Sequence, residues 1–337
     1  MREGAHPRGD GHRPPLQTEG RALCGNCRYN IALGWVEEET SRMAAMTRCL
    51  LLFVGVLLLL LPARAQEAGP DESTWRGHPA LIDDLNGEID KRVAAVGLNP
   101  GPALSWFSSA DDTKFVYVRN PTSWVHDLDL TGVVVSHDYL CQGNHLTSGG
   151  ALITPQDVVC AAHFAHPGGA VLNFVDANNV IHTGTVTKGA PVPGTDIYLC
   201  HLAAPVAGVT AYKVLPPDWS KYALDRRLRG WPLLMAYNFG HMAYLLDADG
   251  VVGELRYHRC MEPALAPYTT KISSGSGSPA FAVINGEPVL VGCLHTTGST
   301  SWIADHEDAI NTLLASLGST STLTTFDLSK PVSYARY

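Results

Sequence analysis

The stretch Ser273-Ser274-Gly275-Ser276-Gly277-Ser278-Pro279 constrains this chain more than any other. Taken by composition alone it is a flexible Gly/Ser linker. The residues on its C-terminal side argue against a linker. Ala280-Phe281-Ala282-Val283-Ile284 reads as a strand, Asn285-Gly286 as a tight hairpin turn, and Pro288-Val289-Leu290-Val291-Gly292 as the return strand. A turn that must hold a hydroxyl and several backbone N–H groups at one point needs small residues, because only they let a backbone approach a substrate closely.

A serine becomes a nucleophile only with a base in hydrogen-bond reach and a third group to orient that base. Upstream, Gly149-Gly150-Ala151-Leu152-Ile153-Thr154-Pro155-Gln156-Asp157-Val158-Val159-Cys160-Ala161-Ala162-His163 reads as strand, turn, strand and then Ala-Ala-His. Between the two lies Thr195-Asp196-Ile197-Tyr198-Leu199-Cys200-His201-Leu202, an aspartate opening an apolar strand. His166 is a rival base without the Ala-Ala context, and Asp176 a rival orienter beside the turn residues Asn178-Asn179. The three segments, in the order His, Asp, Ser, resemble those of the trypsin/chymotrypsin-like serine proteases, over about Thr131 to Trp302.

That resemblance implies an all-β fold of two six-stranded antiparallel β-barrels, here with an N-terminal helical appendage and a C-terminal helix. It implies a catalytic triad of His163, Asp196 and Ser276, and an oxyanion hole built from the backbone at Ser274, Gly275 and Ser276. The family usually has glycine at the position of Ser274, so a positive φ there strains a serine. Gly275 stands where animal digestive members carry an aspartate that receives a new N-terminus, so activation by that route is not expected. The primary pocket falls to Thr270 and to His295, Thr296 and Thr297. Thr270 replaces the acid of trypsin-like members, which argues against cleavage after Arg or Lys. His295 lies one position off the register of the histidine that glutamate-cleaving bacterial members use. The cysteine pair that usually flanks the catalytic histidine is replaced by Ser148 and Phe164.

The run Cys49 to Leu61 is apolar, comes after Arg42 and Arg48, and precedes Ala63-Arg64-Ala65, the pattern of a secretory signal peptide cut before Gln66. A membrane anchor is the rival, but a bilayer needs about 20 apolar residues. The expected location is secreted or periplasmic, with no stable membrane anchor after cleavage. Residues 1–42 are Gly/Pro/Arg-rich and fit neither reading; Cys24 and Cys27 there form a lone pair at zinc or redox spacing. From Gln66 onward the chain carries 16 Lys and Arg against 26 Asp and Glu. An acidic chain offers no patch for nucleic acid, and Arg226-Arg227-Leu228-Arg229 reads as a solvated turn. Its five cysteines, Cys141, Cys160, Cys200, Cys260 and Cys293, are odd in number. Cys160, Cys200 and Cys293 sit in apolar strands and read as small buried hydrophobes. No metal-ligand cluster is evident, and no cofactor is expected.

Pro79 to Val96 carries apolar residues at helical spacing (Leu81, Leu85, Ile89, Val93), and is read as an appendage packed on the body or as a propeptide. Strands are expected at Lys114–Val118, Leu128–Val135, Val171–Val175 and Val180–Val186. A further pair, Met242–Leu246 and Val251–Tyr257, is expected to turn across Asp247–Gly250. Ile303 to Leu317 reads as a helix capped by Asp305 and stopped by Gly318. The expected organisation is 1–45 upstream extension, 46–65 signal peptide, 66–113 appendage, 114–205 first barrel, 206–302 second barrel and 303–337 helix and tail. Three functions remain: a secreted serine endopeptidase acting on protein or peptide, a protease-like binding module that has lost activity, and an esterase using the same triad.

Overall fold

A computed structural model describes residues 80–138, 149–219, 231–237, 241–251, 254–258, 264–270, 275–296 and 299–329. The signal-peptide run, Cys24, Cys27, Cys141, Cys260, Ser148, Ser274, Thr297 and the arginine cluster lie outside them. Among the described residues the chain is mostly β, its sheets antiparallel, with two α-helices. No helix among them is long and apolar enough to cross a membrane.

The first helix, α1 (Ala80–Val96), keeps the expected span. Leu85, Ile89 and Val93 are buried, and the helix packs on the strands β9 and β12 defined below. Its buried Arg92 pairs with Glu88 one turn back and with Asp127. The Tyr268 hydroxyl donates to the Gly97 carbonyl at 2.6 Å, tying the helix end to the body. Next comes a hairpin of β1 (Phe107–Asp111) and β2 (Val116–Arg119).

The first large sheet comprises β3 (Ser136–His137), β4 (Ala151–Thr154), β5 (Asp157–Ala161), β6 (Val171–Val175), β7 (Ile181–Pro191) and β8 (Ile197–Leu202), in the order β3-β6-β7-β8-β5-β4. The expected strand Leu128–Val135 is mostly irregular, with a turn at Thr131–Gly132. Asp129 Oδ1 accepts from the backbone and hydroxyl of Thr131, and an Asx turn of this kind competes with a sheet ladder. Only an isolated bridge, Val133 to Ala151, remains of it before β3.

The second large sheet comprises β9 (Trp231–Tyr237), β10 (Met242–Val251), β11 (Glu254–His258), β12 (Pro279–Ile284), β13 (Glu287–Thr296) and β14 (Ser299–Thr300). Its ladders run β10-β11-β14-β13-β12-β9 and close. Asn285 and Gly286 both have positive φ, as a two-residue hairpin turn between β12 and β13 requires. The expected turn at Asp247–Gly250 is not there: β10 runs through it, pairing Gly250 with Leu255 and Val251 with Glu254.

Period-two alternation explains how each sheet buries both faces. Leu152, Val158, Cys160 and Cys200 enter one core, while Ala151, Ile153, Val159 and Leu199 enter another that they share with Phe281, Val283, Leu290 and Cys293. The sheets are thus joined by a common apolar layer. The C-terminal segment opens as a tight turn at Ala304–His306 and becomes α2 at Glu307–Ser316. Asp305 lies inside that turn, so it does not cap the helix; His306 holds the cap position without a side-chain bond.

Candidate active site

β5 ends at Ala161, and the next three residues form a 3₁₀ turn that carries His163. β8 begins at Ile197, which leaves Asp196 on the rim immediately before it. Ala161 pairs with Ile197 in register, and the Ala162 N–H donates to the Asp196 carbonyl at 2.8 Å. The two side chains are therefore neighbours because two adjacent strands end together. The His163 backbone N–H donates to Asp196 Oδ1 at 3.0 Å, and Nδ1 lies 2.5 Å from Asp196 Oδ2. A carboxylate only accepts, so Nδ1 carries the proton and Nε2 is left as an acceptor. Ser276 Oγ is 2.8 Å from that Nε2, the position from which its hydroxyl donates.

The turn that presents Ser276 is held from three sides. Its carbonyl accepts from the Gly149 N–H at 2.9 Å, the Gly277 N–H donates to the Leu294 carbonyl at 2.6 Å, and the Ser278 N–H donates to the Gly275 carbonyl at 2.9 Å. Gly275 has φ +92°, and a Cβ there would stand 2.5 Å from Tyr237 Cε2. Gly277 has φ +87°, and a Cβ there would stand 2.5 Å from the Gly149 carbonyl oxygen. Both glycines are thus required twice over, by conformation and by space. The Gly/Ser composition serves close packing around a hydroxyl and not flexibility. Ser274, where a positive φ would strain a serine, lies outside the described residues.

His163 is 40% and Asp196 23% exposed as side chains, so the group is open to solvent on one side. The ring of Phe164 stands edge-on to that of His163 with centroids 4.9 Å apart, where the resembling family has a cysteine. Comparisons with protein-family models and with curated proteins found no match.

The rival residues have other partners. His166 is buried, its Nε2 donates to the Gly149 carbonyl at 3.0 Å, and burial pushes its pKa down to about 3. It holds Gly149, whose N–H in turn holds the Ser276 carbonyl, a role that sequence spacing does not reveal because the link runs through the Gly149 backbone. Asp176 caps its own turn, accepting from the N–H groups of Asn178 and Val180, and meets His182 Nε2 at 3.2 Å. Of the pocket residues, Thr270 comes after the turn Ala266–Tyr268. Thr296 pairs with Ser299 across the β13–β14 ladder. His295 Nδ1 is 3.8 Å from Asp196 Oδ2.

Cys160, Cys200 and Cys293 are buried free thiols. The Cys160 and Cys200 sulfurs are 4.0 Å apart, and their contact together with burial pushes the Cys200 thiol far up. Burial does the same to Cys293. The raised Cys200 and Cys293 thiols are poor nucleophiles. Among the described residues no group of His, Cys, Asp and Glu side chains is arranged to hold a metal ion.

Proposed function

We propose that this chain is a serine-type hydrolase of the trypsin/chymotrypsin-like family, acting on peptide bonds at the junction of two β-barrels. The observation that carries the reading is the continuous relay Asp196 Oδ2, His163 Nδ1 and Nε2, Ser276 Oγ, with separations of 2.5 and 2.8 Å. Such distances match what general-base activation of a hydroxyl needs.

In the proposed reaction Ser276 Oγ attacks the substrate carbonyl as His163 Nε2 takes its proton. Asp196 holds the tautomer and stabilises the imidazolium. The tetrahedral oxyanion is received by backbone N–H groups of the Ser274–Ser276 turn, whose close approach the two flanking glycines permit. Collapse expels the amine, which takes the proton back from His163, and an acyl-Ser276 ester remains. Water then attacks that ester with His163 again as base, and collapse breaks the bond to Ser276 Oγ, releasing the acid as His163 returns the proton to the serine. The reading is of a secreted protein, competent without a newly formed N-terminus.

The test is turnover. The purified chain is offered a mixed peptide library and, separately, a set of small acyl esters. Peptide cleavage that disappears in Ser276→Ala supports the endopeptidase. Ester hydrolysis without peptide cleavage assigns the same relay to an esterase. No hydrolysis of either class, in a folded chain, leaves a protease-like binding module.

A further inference from the structure

The Asp196 carboxylate faces two imidazoles. Oδ1 accepts the His163 backbone N–H and Oδ2 accepts His163 Nδ1–H. The same Oδ2 lies 3.8 Å from His295 Nδ1, and the His295 side chain is only 16% exposed. That separation is too long for a hydrogen bond but short for a charge pair. β13 delivers His295 to this place, since Leu294, the residue before it, accepts from the Gly277 N–H and donates to the Ser278 carbonyl, binding the strand to the Ser276 turn.

We propose that His295 is a positioning residue for the triad carboxylate, a second imidazole that competes for Asp196 Oδ2 and so lowers the basicity Asp196 confers on His163. The physical reason is charge. A protonated His295 draws off part of the carboxylate's charge and also repels a proton on His163, and a neutral one acts in the same direction when Nδ1 carries its proton. Removing the ring therefore raises the His163 midpoint.

Titratable groups reach toward His295 from three strands. Asp196 and, beyond it, His163 face it from the ends of β8 and β5. Two residues back on β13 is Cys293, whose thiol is directed at the Val159 carbonyl and is pushed far up by burial. The flanking strands β12 (Pro279–Ile284) and β14 (Ser299–Thr300) contain no titratable residue.

The experiment is a histidine titration by NMR of imidazole Cε1–H signals in the full chain, with His295→Gln and His295→Ser beside the parent. The His163 midpoint is expected to rise by about half a pH unit or more in both variants. The proposal rests on the acyl-transfer reading for its kinetic arm alone. There the acid limb of kcat/KM is expected to move up by the same amount on neutral and acidic substrates alike. An unmoved His163 midpoint in a folded variant overturns it. So does an unmoved acid limb with a loss confined to substrates carrying Glu or Asp beside the scissile bond, which makes His295 a pocket wall. If the midpoint moves but nothing is hydrolysed, the role of His295 stands and the hydrolase reading falls. Asp196→Asn supplies an arm independent of the His295 variants' folding: the His295 midpoint must drop, and a constant value contradicts the proposal.

Discussion

Asp196 binds the backbone of His163, its ring, and the approach of His295 with only two oxygens. Its replacement by asparagine leaves the shape and presents an amide where the carboxylate stood, so the imidazole is no longer fixed as the Nδ1–H tautomer. Asp196→Asn is expected to lower kcat by about four orders of magnitude with little change in KM, measured at neutral pH on any peptide that the parent cleaves. A comparable rise in KM at constant kcat contradicts the orienting role. Gly275→Ala is expected to lower kcat/KM by about a hundredfold or more. Positive φ and the Tyr237 ring both refuse the methyl, and the N–H groups beside Ser276 move with the backbone. Retention of full activity by Gly275→Ala contradicts the assigned turn geometry.

At the scale of the element, the site is three strand ends brought together by ladders. The Ser276 turn is fixed to the residue pair before β4 through Gly149, whose N–H serves Ser276 and whose carbonyl receives His166. Gly277→Ala pushes a methyl against that carbonyl and is expected to destabilise the chain by about 1–3 kcal/mol in urea unfolding. A midpoint equal to the parent's contradicts it. Periodicity and turn composition predict α1 and the β12–β13 hairpin closely, because a helical stripe and an Asn-Gly pair are local signals. They misassign Leu128–Val135 because Asp129 diverts that backbone into a turn, and Asp247–Gly250 because neighbouring strands override a loop-like composition. The proposed triad residues His163, Asp196 and Ser276 are readable as candidates from three separated segments, since each sits at or close to the end of a strand whose pattern is local. The Gly149–His166 support and the approach of His295 to Asp196 are not, since both depend on tertiary contacts between strands distant in sequence.

For the whole molecule, stability and pH are linked through His166. It is buried against the His137 ring and the Gly149 carbonyl, and its pKa is pushed from 6.5 down to about 3. Between those values the unfolded chain binds a proton that the folded chain refuses. Stability is therefore lost as pH falls through that window, and this group contributes no pH dependence above it. The urea midpoint is expected to fall between pH 7 and pH 4.5 in the parent and to fall less in His166→Gln; equal slopes contradict the assignment. The central claim concerns Ser276 as a nucleophile and needs no substrate to be known. Treating the folded chain with a fluorophosphonate and measuring its intact mass and peptide map tests it directly. One phosphonyl adduct on Ser276, absent in Ser276→Ala and slowed about a thousandfold or more in His163→Ala, is the predicted result. A folded chain that takes no adduct, or takes it on another residue at the same rate, contradicts it.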